Sequence, residues 1–202
     1  ILDRDNHPLK EAGTIGTDYI RSKYECYLRL PELEIAPRVT TVFPTLVFGG
    51  EANKPYSHIS TGLAEVAQWM WLIRLLNVDG SFHFAHGHDI AQVVTHLIEH
   101  PPGPGASRQV VIGNPALTAN EAISQVLDYL GMLPTVFQMS LSPWWTDRLL
   151  NWINIEMADW DRFCLQYRHF TYRDPVYPAR LGREGYCPTV GDLLSVSGIP
   201  AG

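Results

Sequence analysis

Apolar residues recur every three or four positions between Asp18 and Leu30, at Tyr19, Ile20, Tyr24, Tyr27, Leu28 and Leu30. That spacing predicts a short helix, and Pro31 stops it. The period then changes. RVTTVFPTLVFGG is β-branched and bounded by Pro37 and Gly49, which predicts a buried strand running into a glycine loop. Residues 60–77 return to a helical pattern, and Asn77, Asp79 and Gly80 mark a turn. SFHFAHGHDIAQVVTHLIEH joins a short alternating segment to a helix that begins near His88 and ends at PPGPG. RQVVIGN predicts another strand. In LTANEAISQVLDYLG, Thr118 is placed as an N-cap with Glu121 three residues on and Gly131 as the stop, the pattern of a capping box. Strand and helix alternate over residues 18–131, which predicts an α/β domain with a parallel sheet and helices packed on it. The C-terminal region has another character. It predicts one long amphipathic helix from about Pro143 to Tyr167 and a short helix opened by Pro188 and Thr189.

Composition narrows the classes. A chain of 202 residues with 46% hydrophobic and 18% charged residues can bury a core of its own. The net charge is −6 and no basic block could neutralise a run of phosphates, so nucleic acid is not an expected partner. Cys26, Cys164 and Cys187 lie far apart without CxxC spacing, which argues against a disulfide framework or a cysteine zinc site and fits a reducing, cytoplasmic setting. No run of about 18 apolar residues occurs, since Arg74 interrupts VAQWMWLIRLLNV.

Within the first helix, Tyr19 and Lys23 are four residues apart and so share a face. The pairing has a chemical use, because a phenol beside an ammonium gives up its proton more readily and becomes a usable acid or base. With three lysines and nine tyrosines in the chain, such a pair arises by chance roughly one time in eight, and a surface Tyr beside a solvated Lys is the plain alternative.

The surroundings of the pair add to it. YIRSK at the opening of a helix, a strand ending in PTLVFGG, then FAHGHDIAQVV and VVIGNPALTANEAISQVLDYLG follow one another as they do in the short-chain dehydrogenase/reductases. The chain resembles their extended branch, the NAD-dependent epimerases and dehydratases, most strongly from Tyr19 to Gly131. The resemblance implies the second half of a Rossmann-like, doubly wound parallel sheet in residues 1–131 and a mostly helical substrate or lid region in residues 132–202. It implies NAD or NADP as cofactor, Tyr19 as the catalytic acid/base, and Lys23 as the residue that binds the nicotinamide ribose and tunes the tyrosine. Pro44 and the backbone of Thr45, Leu46 and Val47 match the segment that closes over the nicotinamide. His86 and Asp89 match the HxxD that opens a helix, a position expected to be structural. The glycine-rich phosphate loop GxxGxxG is absent, and no Ser or Thr occurs before Thr14 to serve as the family's hydroxyl partner of the tyrosine. The expectation is therefore that residues precede Ile1 and that this is the C-terminal portion of a longer protein.

Rival readings rest on other residues. His83, His86, His88 and Asp89 crowd together, and His96 and His100 have the i, i+4 spacing of paired zinc ligands, as in a metal hydrolase. There is no HExxH, and alternation would send His83 and His86 to opposite faces, so no metal is expected. Trp145, Leu149, Trp152, Ile153, Trp160, Phe163 and Tyr167 form a stripe that suits a core, a homodimer contact, a substrate lid or docking on a membrane or partner. The leading expectation is hydride transfer at an oxygen-bearing carbon of a small carbonyl compound or sugar-type substrate. The second is a non-catalytic relative that acts as an assembly or regulatory scaffold.

Overall fold

A computed structural model describes residues 2–51, 56–103, 106, 108–135, 138–140 and 158–202. Thr17 caps the helix predicted around Tyr19: its side chain accepts the Ile20 N–H, and the helix α2 runs Asp18–Arg29 behind a single turn, α1, at Glu11–Thr14. Pro31 then falls in a 3-10 turn, as its missing N–H and fixed φ require. No residue of α2 is fully buried. Gly16 precedes it where an added Cβ would strike the Ala12 carbonyl, so the α1–α2 corner needs glycine.

The predicted strand 39–48 becomes two pieces. β1, Thr41–Pro44, pairs in parallel with β6, Gln109–Ile112; β2, Leu46–Phe48, pairs in parallel with β5, Phe84–His86. The change of partner falls between two consecutive residues, because the Thr45 N–H donates to Ile112 O at 3.0 Å and the Leu46 N–H to His83 O at 3.2 Å. On its other side β5 is held by the Asn114 N–H, which donates to Phe84 O at 2.8 Å. β5 thus wedges between β2 and the chain that follows β6. The remaining pairings are short: β3, Leu76–Asn77, with β8, Met139–Ser140, and β4, Ser81–Phe82, between β7, Leu117–Thr118, and β9, His169–Phe170. The β4–β7 pair is antiparallel. The described residues therefore form a mixed α/β arrangement of small, mostly parallel sheets rather than one continuous parallel sheet.

The helix predicted over 60–77 is also divided. α3, His58–Gln68, ends at Trp69, whose φ of −90° and ψ of 3° leave the helical range, and α4, Met70–Ile73, follows before the chain extends into β3. α5, Gly87–Glu99, and α6, Ala119–Tyr129, lie close to their predicted limits, and α6 carries the predicted capping box of Thr118 and Glu121. α7, Asp159–Tyr167, is the last part of the predicted tryptophan-rich helix, whose earlier residues, Trp145 to Ile153 included, lie outside the described residues. α8, Val190–Val196, has its own capping box from Thr189 and Asp192.

The core gathers on one side of this framework. Phe48 and Phe84 meet edge to face at 6.2 Å between ring centroids, and Leu63, Met70, Val126, Leu193 and Leu194 close around them from α3, α4, α6 and α8. Burying such side chains stabilises by roughly 1.5–3 kcal/mol each. The N-terminal passage, which shows no apolar period in sequence, is nonetheless anchored. Leu2 and Ala12 are buried, and Asn6 exchanges two hydrogen bonds with the backbone of Arg173, 3.0 and 3.1 Å long.

Candidate active site

Tyr19 and Lys23 stand on one face of α2 as their spacing requires. The Lys23 ammonium lies 5.5 Å from the centroid of the Tyr19 ring, in cation–π range. Tyr19 is 71% exposed, so its hydroxyl is open to a ligand from outside. Farther along the same face, the Tyr27 ring meets Phe43 of β1 edge to face at 5.0 Å, and its hydroxyl donates to Gln109 Oε1 at 2.7 Å. Burial pushes the Tyr27 phenol above its ordinary pKa, so that group stays a neutral donor. This packing sets α2 beside β1 and leaves a groove of about 340 Å³ between them, in which Tyr19, Lys23 and Pro44 all take part. Three of the six residues expected at the cofactor site are therefore brought together.

The other three diverge. Thr45 is half-buried, and its Oγ1 is buried without a hydrogen-bond partner among the described residues. Gly113 lies against it, where a Cβ would fall 2.5 Å from Thr45 Oγ1 and 3.0 Å from His83 Cβ; only glycine allows this approach. Leu46 and Val47 are exposed, and Leu46 borders a separate apolar cavity beyond the partner change. The donor set of the groove, a phenol and an ammonium beside the apolar Val42, Phe43 and Pro44, fits a flat heteroaromatic ring bearing hydroxyls. The chain contributes no glycine-rich loop for the pyrophosphate.

The described histidine side chains turn to different partners. His83 accepts the Tyr172 N–H at Nε2, 3.1 Å, while Nδ1 lies 2.7 Å from the carbonyl of Asn114. The proton must then sit on Nδ1, donated to Asn114, which fixes a neutral tautomer. His86 turns to the Gly50 carbonyl at 3.4 Å, and its Nδ1 accepts the His88 N–H at the start of α5. Asp89 is buried, and its two carboxylate oxygens accept the N–H groups of Tyr186 and Cys187 at 2.6 and 3.0 Å. His96 and His100 stack on each other at 4.6 Å. Among the described residues, no three His, Cys, Asp or Glu side chains gather as a metal site. Burial pushes the Cys187 thiol up to about 12, which makes it inert. The His83–Tyr172 and Asp89–Tyr186 contacts join residues 89 and 97 positions apart, and no local pattern announces them.

A larger, polar hollow of about 830 Å³ lies where β4, β7 and β9 meet, bordered by Arg4, Ser81, His83, Glu121 and Tyr172. At its edge Arg173 pairs with Asp5 at 2.8 Å. Among the described residues no helix is long and apolar enough to cross a membrane.

No protein-family model matches the sequence, and no curated protein does. Solved structures do match. The structure of gox2253 superposes with a TM-score of 0.57 at 15% identity, covering 98% of this chain and 59% of that one. A nucleoside-diphosphate-sugar epimerase from Pseudomonas aeruginosa superposes with a TM-score of 0.55 at 14% identity, covering 98% of this chain and 60% of that one. The chain thus spans about three fifths of the length of either structure. At such identities the likeness is one of fold: the chain shares the coarse architecture of an epimerase of this kind.

Proposed function

We propose that the chain is part of a nicotinamide-dependent oxidoreductase or epimerase that takes NAD or NADP. The observation that carries this reading is the single groove in which Tyr19, Lys23 and Pro44 meet although they come from a helix and a strand. The fold likeness to a sugar epimerase supports it from outside the sequence. In this reading residues 1–131 are the second half of the nucleotide-binding domain, their parallel strands belong to a doubly wound sheet, and residues 132–202 serve the substrate. When bound, the nicotinamide supplies hydride exchange at C4. Tyr19 exchanges a proton with the substrate oxygen, which its exposed hydroxyl can reach. Lys23 holds ribose hydroxyls with its ammonium and keeps a positive charge beside the Tyr19 ring. Val42, Phe43 and Pro44 provide the apolar wall. The substrate is a small carbonyl compound or a sugar-type molecule.

The test is a fluorescence titration of NADH and NADPH into the full-length protein and into its Tyr19→Phe variant. Both forms are expected to bind one of the two nucleotides. Absence of binding in both overturns the proposal.

A second reading, a non-catalytic relative used as a scaffold, is favoured by one feature. Trp69 and Trp71 are each 55% exposed, with ring centroids 6.3 Å apart, and large paired aromatics of this kind suit partner surfaces.

A further inference from the structure

β1 is paired along one side only. The Thr41 N–H donates to Arg108 O at 2.7 Å and the Thr45 N–H to Ile112 O at 3.0 Å, so Thr41, Phe43 and Thr45 turn their main-chain groups toward β6. Val42, between them, turns its N–H and carbonyl the other way, where no strand among the described residues lies to meet them. Pro44 has no N–H, so it ends that edge with a carbonyl alone. Strands of parallel sheets are usually covered on both faces, yet Thr41, Val42 and Phe43 are only half-buried and Pro44 is exposed.

The space beside this edge is a continuous trough. The groove of Tyr19, Lys23 and Pro44 shares Tyr27, Leu30 and Thr41 with a second hollow of about 520 Å³ that reaches Arg108. Tyr24, Leu30, Val42 and Phe43 give the trough an apolar lining. Unpaired main-chain groups along such a trough are the template for strand addition, in which the backbone supplies hydrogen bonds and alternate side chains fill the hollows. Tyr19, Lys23 and Pro44 border only the first hollow, and Pro44 lies at the carboxyl end of β1, where open α/β sheets place their ligands. An added strand and a ligand therefore take different ends of the trough.

We propose that the open edge of β1 is an interaction surface that receives one more strand, parallel to β1 and built of apolar, β-branched residues, from the part of the full-length protein outside residues 1–202. The sense follows from the neighbours: of the five strand pairs among the described residues, four are parallel. The source follows from the fold: the two superposing structures are matched over only 59% and 60% of their length, so the rest of such a fold lies outside this chain. The inference rests on the reading of residues 1–131 as one portion of a doubly wound sheet and does not depend on chemistry at Tyr19.

The experiment is hydrogen exchange followed by NMR on the full-length protein, with an NADH and NADPH titration in parallel. The Val42 amide is expected to exchange about 100-fold or more slowly than an unstructured amide, to keep that protection on dilution, and to show a cross-strand NOE to a residue outside residues 1–202. Exchange at the unstructured rate overturns the proposal. Protection that fades on dilution assigns the edge to a second copy of the chain, and a cross-strand NOE to a residue within residues 1–202 assigns it to this chain itself; either result overturns the proposal as well. An antiparallel pattern of NOEs overturns the sense of the added strand. Nucleotide binding with a fast Val42 amide leaves the oxidoreductase reading standing without the added strand. A protected Val42 with its NOE upholds the added strand whether or not nucleotide binds.

Discussion

The carboxylate of Asp89, on the first turn of α5, accepts the backbone N–H of Tyr186 at 2.6 Å, and its other oxygen accepts that of Cys187 at 3.0 Å. This one buried side chain ties the loop before α8 to the helix that follows β5. Hydrogen bonds to a charged acceptor contribute about 1.5–3 kcal/mol each, and truncation leaves two N–H groups unpaired. Asp89→Ala should therefore cost about 3 kcal/mol or more, read as a lower urea midpoint at unchanged m. Asp89→Asn keeps one acceptor but turns its NH₂ toward the second N–H, and should fall between the two. A midpoint unchanged in Asp89→Ala would show that the loop does not depend on this contact.

Tyr19 tests the chemistry without disturbing the fold. Because the side chain is 71% exposed, Tyr19→Phe should change stability by no more than about 0.5 kcal/mol. If the hydroxyl is the acid/base, kcat should fall about 10²–10⁴-fold while the nucleotide Kd stays within about twofold. Steady-state kinetics on a small ketone with the nucleotide that binds provide the measurement. Equal turnover in the variant would remove Tyr19 from the mechanism.

What could be read from sequence was local, and the reason is visible in particular residues. The capping boxes of Thr118 with Glu121 and of Thr189 with Asp192 are closed within four residues, so the first was recognisable before any packing was known and the short helix after Thr189 could be placed. The Tyr19–Lys23 face follows from helix geometry alone. That Pro44 shares its groove does not, because it depends on Tyr27 packing against Phe43 and bonding to Gln109, 82 residues away. The division of the 60–77 helix at Trp69 was equally hidden. Apolar period is preserved across a kink, and the extension of Leu76 and Asn77 is fixed by a parallel partner at Met139 and Ser140. The polar N-terminal passage has no apolar period to announce its anchor, because Asn6 finds its partner, Arg173, 167 residues away.

Thr45 carries the opposite kind of cost. Its hydroxyl oxygen is buried beside Gly113 with no hydrogen-bond partner among the described residues. Replacing an unsatisfied buried hydroxyl by a methyl of the same shape removes a desolvation penalty, so Thr45→Val should stabilise the protein by about 1 kcal/mol. For a domain of this size that is a rise in Tm of about 2–4 °C by calorimetry. A fall in Tm would mean that the hydroxyl is satisfied in solution.

His83 should make stability depend on pH. Burial holds the imidazole below its ordinary pKa, and the Tyr172 N–H pointing at Nε2 leaves no room for a second ring proton. The unfolded chain protonates near the ordinary value of about 6.5, whereas the folded chain resists until lower pH. The unfolded state therefore binds more protons in that window, and stability rises with pH through it. The contribution is present above pH of about 6.5 and is lost as pH falls toward the depressed folded value. A charged imidazole would have to release Tyr172, whose ring stacks on His83 at 5.8 Å, and with it the segment that holds β9 against β4. The urea midpoint should therefore decline between about pH 7 and pH 5, and this decline should be reduced in His83→Gln, which can still hydrogen-bond but cannot titrate. An identical pH profile in the two proteins would assign the acid sensitivity to other groups.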